Sequence, residues 1–150
     1  MKIHFVLLLG ISLFACHQKE ITKTDNNKPI SNASTGDETK AVVIDASMDV
    51  SSTGAMYTID SMKITGNILS IMVNYSGGCK THEWELISNG LFEKSLPPKV
   101  AVCLKHKNNG DACRELVTKE LKFNIAKLKS PNSKTVIVKI GDKQIRYTQE

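Results

Sequence analysis

Motifs that hold phosphate or prepare a nucleophile are missing from this sequence. There is no glycine-rich phosphate loop, no Gly-x-Ser-x-Gly elbow, no helix carrying paired carboxylates and no internal repeat. Nucleotide chemistry, serine-hydrolase chemistry and a repeat architecture therefore lack their usual sequence basis. Arginine-rich runs are also absent. The net charge is only +5, and Lys105, Lys107, Lys119, Lys122, Lys127 and Lys129 alternate with apolar or acidic neighbours without interleaved aromatics. That pattern argues against nucleic acid as a partner. It suits a solvated sheet face with blunted edges.

What is present begins at the N-terminus. The stretch "MKIHFVLLLGISLFAC" has a basic start at Lys2, an apolar run over residues 5–14, and Leu13-Phe14-Ala15-Cys16 at its end. The run is too short to cross a bilayer and reads as a secretory signal peptide. Its ending resembles the lipobox of bacterial lipoproteins, a branched apolar residue and a small residue ahead of a cysteine. The resemblance implies a diacylglyceryl thioether on Cys16, removal of residues 1–15, and an acylated (palmitate-type) N-terminus. Two or more acyl chains, at about 0.8 kcal/mol per buried methylene, anchor a chain stably where one does not. Removing residues 1–15 takes away Lys2 alone among charged residues, so the net charge falls to +4. The expected location is the bacterial cell envelope, with the domain in the periplasm or at the cell surface and the membrane as a partner through the lipid.

Residues 16–40 comprise the lipidated cysteine and "HQKEITKTDNNKPISNASTGDETK", which has two isoleucines as its only large apolar residues. Such a segment cannot bury enough apolar surface to offset the entropy of ordering its backbone, and reads as a flexible stalk. Residues 41–150 suffice for a single globular domain with one core.

Strand periodicity dominates that domain. "NILSIMVNY" places Leu69, Ile71, Val73 and Tyr75 on one face, "THEWELI" groups His82, Trp84 and Leu86, and "VAVCLKH" groups Val100, Val102, Leu104 and His106. "MYTIDSMKI" reads as an early strand, and "TVIVKI" with "QIRYT" as a terminal hairpin around Gly141-Asp142. Pro97-Pro98 marks a connection. "ELVTKELKFNIAKL" fits a helical stripe through Val117, Leu121, Ile125 and Leu128, and also a strand alternation through Leu121, Phe123 and Ile125. Asn109-Gly110 upstream is a hairpin signal, so a returning strand is expected. The predicted fold is mainly β, an antiparallel β-sandwich or small β-barrel in a single domain.

Chemistry concentrates in cysteine and histidine. With Cys16 lipidated, Cys79, Cys103 and Cys113 remain, an odd number. A two-residue Asn109-Gly110 hairpin would set His106 opposite Cys113 and Cys103 opposite Leu116, which disfavours a Cys103–Cys113 bridge. Cys103 then reads as a small packed thiol. Cys79 and Cys113 suit a disulfide in an oxidising compartment, with Gly77-Gly78 turning the backbone just before the first sulfur. The competing reading takes Cys79, His82, His106 and Cys113 as four ligands for zinc or copper, since two thiolates and two imidazoles suit a tetrahedral soft site. Reduced structural thiols are a third reading. His82 and Trp84 also read simply as core. A Cys79–His82 thiolate–imidazolium couple lacks a third, orienting group, and no catalytic residue is assigned.

The segment from Tyr75 to about Leu128, with "GGCKTHEW", "SLPPKV", "LKH" and "NGDAC", is similar to a group of uncharacterised bacterial lipoproteins sharing Gly-Gly-Cys-x-x-His and a later Asp-x-Cys. The resemblance implies that Cys79, His82, His106 and Cys113 act as one unit and that Cys103 is incidental. The expected function is a lipid-anchored binding or assembly module without a cofactor, whose partner is another envelope protein, a glycan or a small ligand. The alternative is a metal-binding envelope lipoprotein.

Overall fold

A computed structural model describes residues 38–49 and 53–149. The expected signal segment, Cys16 and nearly all of the expected stalk lie outside the described residues. The strands are β1 (Lys40–Ala41), β2 (Val43–Ile44), β3 (Thr58–Thr65), β4 (Ile68–Gly77), β5 (Glu83–Glu93), β6 (Lys99–Lys107), β7 (Glu115–Asn124), β8 (Thr135–Ile140) and β9 (Lys143–Thr148), with a 3-10 turn at Ala126–Leu128. They form two sheets, ordered β1-β7-β4-β3 and β2-β5-β6-β8-β9. The mainly-β single-domain expectation is met as two open, facing sheets and not as a closed barrel.

Each expected period-two face points inward. Leu69, Ile71, Val73 and Tyr75 of β4 and Leu121 and Phe123 of β7 meet Trp84, Leu86, Val100, Val102, Leu104, Val136, Val138 and Ile140 of the other sheet. The segment open to a helical or a strand reading is strand β7, paired antiparallel with β4 along its whole length. Helical character survives only in the 3-10 turn, which drops Leu128 into the core beside Ile125.

The Asn109-Gly110 hairpin is not formed as expected. The turn itself exists: Asn109 and Gly110 have φ of 51° and 68°, and the Asp111 amide donates to the Asn108 carbonyl at 2.9 Å. Pairing stops at that rung because β6 and β7 belong to different sheets. β6 is bonded to β5 and β8, and β7 to β4 and β1. His106 therefore lies opposite Trp84, and Cys103 opposite Ile87, instead of opposite Cys113 and Leu116. The free edge of β6 at His106 is filled by residues 53–55. The His106 amide donates to the Thr53 carbonyl, and the Ala55 amide to the His106 carbonyl, both at 2.9 Å. Gly54, at φ +81°, passes so close over the His106 carbonyl that a side chain there would collide with it.

The sheets are mixed, because three pairings are parallel: β1 with β7, β2 with β5, and β6 with β8. The first two come from a single five-residue run that changes sheets midway. Lys40 and Ala41 add to one sheet, Val43 and Ile44 to the other. Val42 sits at the switch with 0% exposure, its amide donating to the Asn124 carbonyl at 2.9 Å. This strap covers the flanks of both sheets and begins one residue before the expected domain start. Replacing Val42 by Ala removes two buried carbons beside 0%-exposed neighbours, so it should cost about 2 kcal/mol. Urea denaturation checks this as a lower midpoint at unchanged slope. A midpoint equal to wild type would mean that the strap is not part of the cooperative unit.

Candidate functional site

The chain crosses between sheets twice at one end of the sandwich, over residues 78–82 after β4 and residues 108–114 after β6. Cys79 lies in the first crossing and Cys113 in the second, and they form a disulfide with Cα atoms 5.9 Å apart. Closing the 34-residue separation contributes about 4 kcal/mol on the chain-entropy account. Cys103 is outside the bridge and buried, on β6.

Sequence reasoning missed the residue at the centre of this corner, Asp111. Its Oδ2 accepts the amides of Cys79 at 3.0 Å and Lys80 at 2.9 Å, and its Oδ1 accepts the amide of Cys113 at 2.9 Å. His82 Nε2 lies 3.2 Å from the same Oδ2, and both side chains are shielded from solvent. The Asp-x-Cys spacing carried the signal. An aspartate that accepts from the amide two residues on makes an Asx turn, and Asp111 and Cys113 have that spacing. Lys80 Nζ donates to the carbonyls of Asn109 and Gly110, and Asn109 Nδ2 to the Thr81 carbonyl, so side chains of each crossing bind the backbone of the other.

Beyond Asp111 the polar chain continues inward. His82 Nδ1 and His106 Nε2 are 2.7 Å apart, and His106 Nδ1 is 3.2 Å from the Ala55 carbonyl. Both ends of this chain, a carboxylate and a carbonyl, can only accept. His82 Nε2 therefore donates to Asp111 Oδ2 and His106 Nδ1 to the Ala55 carbonyl, and the two inner nitrogens share the 2.7 Å contact between the rings. Burial holds the His106 pKa below its ordinary value, opposed by the Ala55 carbonyl and reinforced by His82, consistent with a neutral His106. The Asp111 pKa is held far below the usual carboxylate range, first by the Cys113 amide, then by those of Lys80 and Cys79 and by His82, against burial.

Aromatic rings enclose the pair. Trp84, opposite His106 in the β5–β6 register, stacks on it at a 3.9 Å centroid distance and 4° interplanar angle. The Tyr75 ring lies 4.5 Å from that of His82 and 5.3 Å from that of Trp84. The Trp84 indole N–H is buried without an acceptor among the described residues, so its role here is packing. Gly77 makes room for the arrangement. A Cβ there would stand 2.7 Å from His82 Cε1 and Nε2 and 3.1 Å from Asp111 Oδ2.

The structure thus brings Cys79, His82, His106 and Cys113 to one corner but does not make them a four-ligand set. Both sulfurs are bonded to each other, and the facing histidine nitrogens, at 2.7 Å, are bonded too closely to share an ion, whose two nitrogen ligands stand about 3.3 Å apart. The Cys79–His82 couple is likewise not formed, since both His82 nitrogens face other partners.

No protein-family profile matches the chain, and no curated protein matches it in sequence. Among solved structures it is similar to a NigD-like immunity protein from Bacteroides caccae, with TM-score 0.51 and 15% identity over 73% of this chain and 58% of that one. It is also similar to a protein of unknown function from Bacteroides vulgatus, with TM-score 0.48 and 19% identity over 73% of this chain and 55% of that one. The chain spans less than two-thirds of the length of either. The first likeness shows a shared fold.

Two outcomes follow from this geometry. Gly77→Ala forces a methyl against the His82 ring and should cost about 1–3 kcal/mol as overpacking. It should also weaken the near-UV circular dichroism of the Trp84–His106 stack; an unchanged spectrum and midpoint would refute the close fit. The second outcome concerns pH. Asp111 has a folded pKa below its unfolded value of 3.8, so its contribution is complete above about pH 5 and is lost as the pH falls through 4 and below. His106, also lowered from 6.5, makes the unfolded chain the better proton acceptor, so stability begins to fall below about pH 6.5. Urea midpoints measured from pH 7 to 3 should decline in both windows. Asp111→Asn should flatten the lower one, and an identical slope below pH 5 in that variant would contradict the assignment.

Proposed function

We propose that the chain is a lipid-anchored protein of the bacterial cell envelope whose two-sheet domain is a binding module, stiffened at one end by the Cys79–Cys113 disulfide. The observation that carries this reading is the continuity of the lipobox-like Leu13-Phe14-Ala15-Cys16, a polar stretch, and the strap that begins at Lys40. From Cys16 to Lys40 a fully extended chain reaches at most about 86 Å, which lets a tethered domain meet a partner away from the lipid. A disulfide in the domain is consistent with an oxidising compartment outside the cytoplasm.

Binding fits the site better than turnover does, because each ring nitrogen of the histidine pair and both bridged sulfurs are already committed to partners inside the protein. A groove of 480 Å³ beside the strap, lined by Lys40, Glu83, Glu85, Lys105 and Lys107 over the Trp84–His106 stack, offers a face with charges of both signs. Such a face favours a protein partner over a strongly acidic or basic polymer. The NigD-like protein of this fold is an immunity protein, which supports the same preference.

Metabolic labelling with an alkyne fatty acid in a diderm bacterial host tests the anchor. The wild-type chain should carry label and sediment with membranes, while Cys16→Ser should lose the label and appear in the soluble fraction. A labelled C16S chain, or an unlabelled wild type, would overturn the reading.

A further inference from the structure

We propose that the corner closed by the Cys79–Cys113 disulfide is a reducible metal site: once a dithiol opens the bridge, the two thiolates and the Asp111 carboxylate bind a thiophilic cation of the zinc class. This inference does not depend on the lipid anchor. It differs from the quartet drawn from the sequence, because Asp111 replaces both histidines as the third ligand.

The ligand atoms of Cys79, Asp111 and Cys113 all lie within 4.8 Å of one another. Two thiolates at about 2.3 Å from one tetrahedral ion stand about 3.8 Å apart, which the 5.9 Å Cα separation accommodates by side-chain rotation alone. Asp111 Oδ2 already accepts from the Cys79 and Lys80 amides and His82, whereas Oδ1 accepts only from the Cys113 amide, so Oδ1 has a lone pair available to an ion. The carboxylate is kept ionised at neutral pH by those same donors. His82, bonded to Oδ2, is a positioning residue: it fixes the carboxylate as second partners do around bound metals. Cys79 is exposed, so the bridge is open to a reductant.

Reduction need not dissolve the site. The Lys80 side chain bound to the Asn109 and Gly110 carbonyls, and Asn109 bound to the Thr81 carbonyl, join the two crossings without using either sulfur. In the chemical step the S–S bond breaks, two electrons and two protons pass from the dithiol, and the dithiol's own sulfurs join as a disulfide. When the cation binds, the two thiol protons leave to solvent.

The test uses the full chain carrying C16S and C103A, so that only the two relevant cysteines remain. Reduced anaerobically with a dithiol and freed of it, this chain is titrated with Co²⁺ as a spectroscopic stand-in for Zn²⁺. A thiolate-to-cobalt charge-transfer band should saturate at one ion per chain, be bleached by Zn²⁺, and be absent in the oxidised chain. Reoxidation should release the ion one for one. The near-UV signal of the Trp84–His106 stack should persist throughout, and Asp111→Asn should weaken binding at least about tenfold. The proposal is overturned if the reduced chain gives no band, if D111N folds and binds equally well, or if the stack signal vanishes on reduction before metal is added. Should D111N fail to fold, stoichiometry and release on reoxidation decide the matter.

Discussion

The Asp111 carboxylate, shielded from solvent, is the interaction on which the functional end of the molecule depends. It accepts backbone amides from both sheet crossings and an imidazole N–H from the first of them. A carboxylate removed from water is costly unless its lone pairs are met, and here the donors come from residues far apart in sequence. The requirement runs in both directions. Only when the crossings lie side by side is Asp111 satisfied, and only with Asp111 in place do the amides of Cys79 and Lys80 have an acceptor. His82 is oriented by that contact, His106 by His82, and the Trp84 stack completes the series. Local order therefore passes from a surface loop to the core through four side chains.

A two-sheet fold needs such ties because its sheets share no continuous hydrogen-bonded edge. Apolar side chains hold the layers face to face, but that attraction is non-directional and tolerates sliding. Direction is supplied at the periphery. At one end the crossings are locked by Asp111 and the disulfide, and along one flank the strap pairs with β7 and then β5 around the buried Val42. Each of those strap pairings is parallel and only two residues long, so the flank is tied by short ladders on both sheets.

Much of the fold was legible in the sequence, because period-two alternation is a local property. The inward faces of β4, β5 and β6 are those that the pattern assigns, and the β8–β9 hairpin closes at Gly141-Asp142. What was not legible was which strand pairs with which. Asn109-Gly110 makes the turn its chemistry favours, yet no hairpin follows, because the edges of β6 were already taken by β5, β8 and residues 53–55. That competition is set by the whole chain. The same limit hid Asp111: its bond to the Cys113 amide is local and readable, whereas the amides of Cys79 and Lys80, some thirty residues away, are brought to it by the fold. The Cys79 and Cys113 pairing was accessible for a different reason. Setting Cys103 aside left one pair, although the hairpin register used to set it aside does not form and Cys103 is kept out of the bridge by its buried place on β6, opposite Ile87.

The corner also separates two tasks that a disulfide usually combines. Its contribution to stability is chiefly a restriction of the unfolded chain, while the position of the crossings in the folded state is set by hydrogen bonds that do not involve sulfur. Asn109 and Lys80 bridge the crossings on the solvent side, and Asp111 bridges them on the core side. Breaking the sulfur bond thus lowers the free energy of folding without removing what gives the corner its shape. A bridge arranged in this way does not hold the corner by itself, and Cys79 lies on its exposed side. Had the sulfurs alone held the crossings together, reduction would release them, and the histidine pair behind them would meet water.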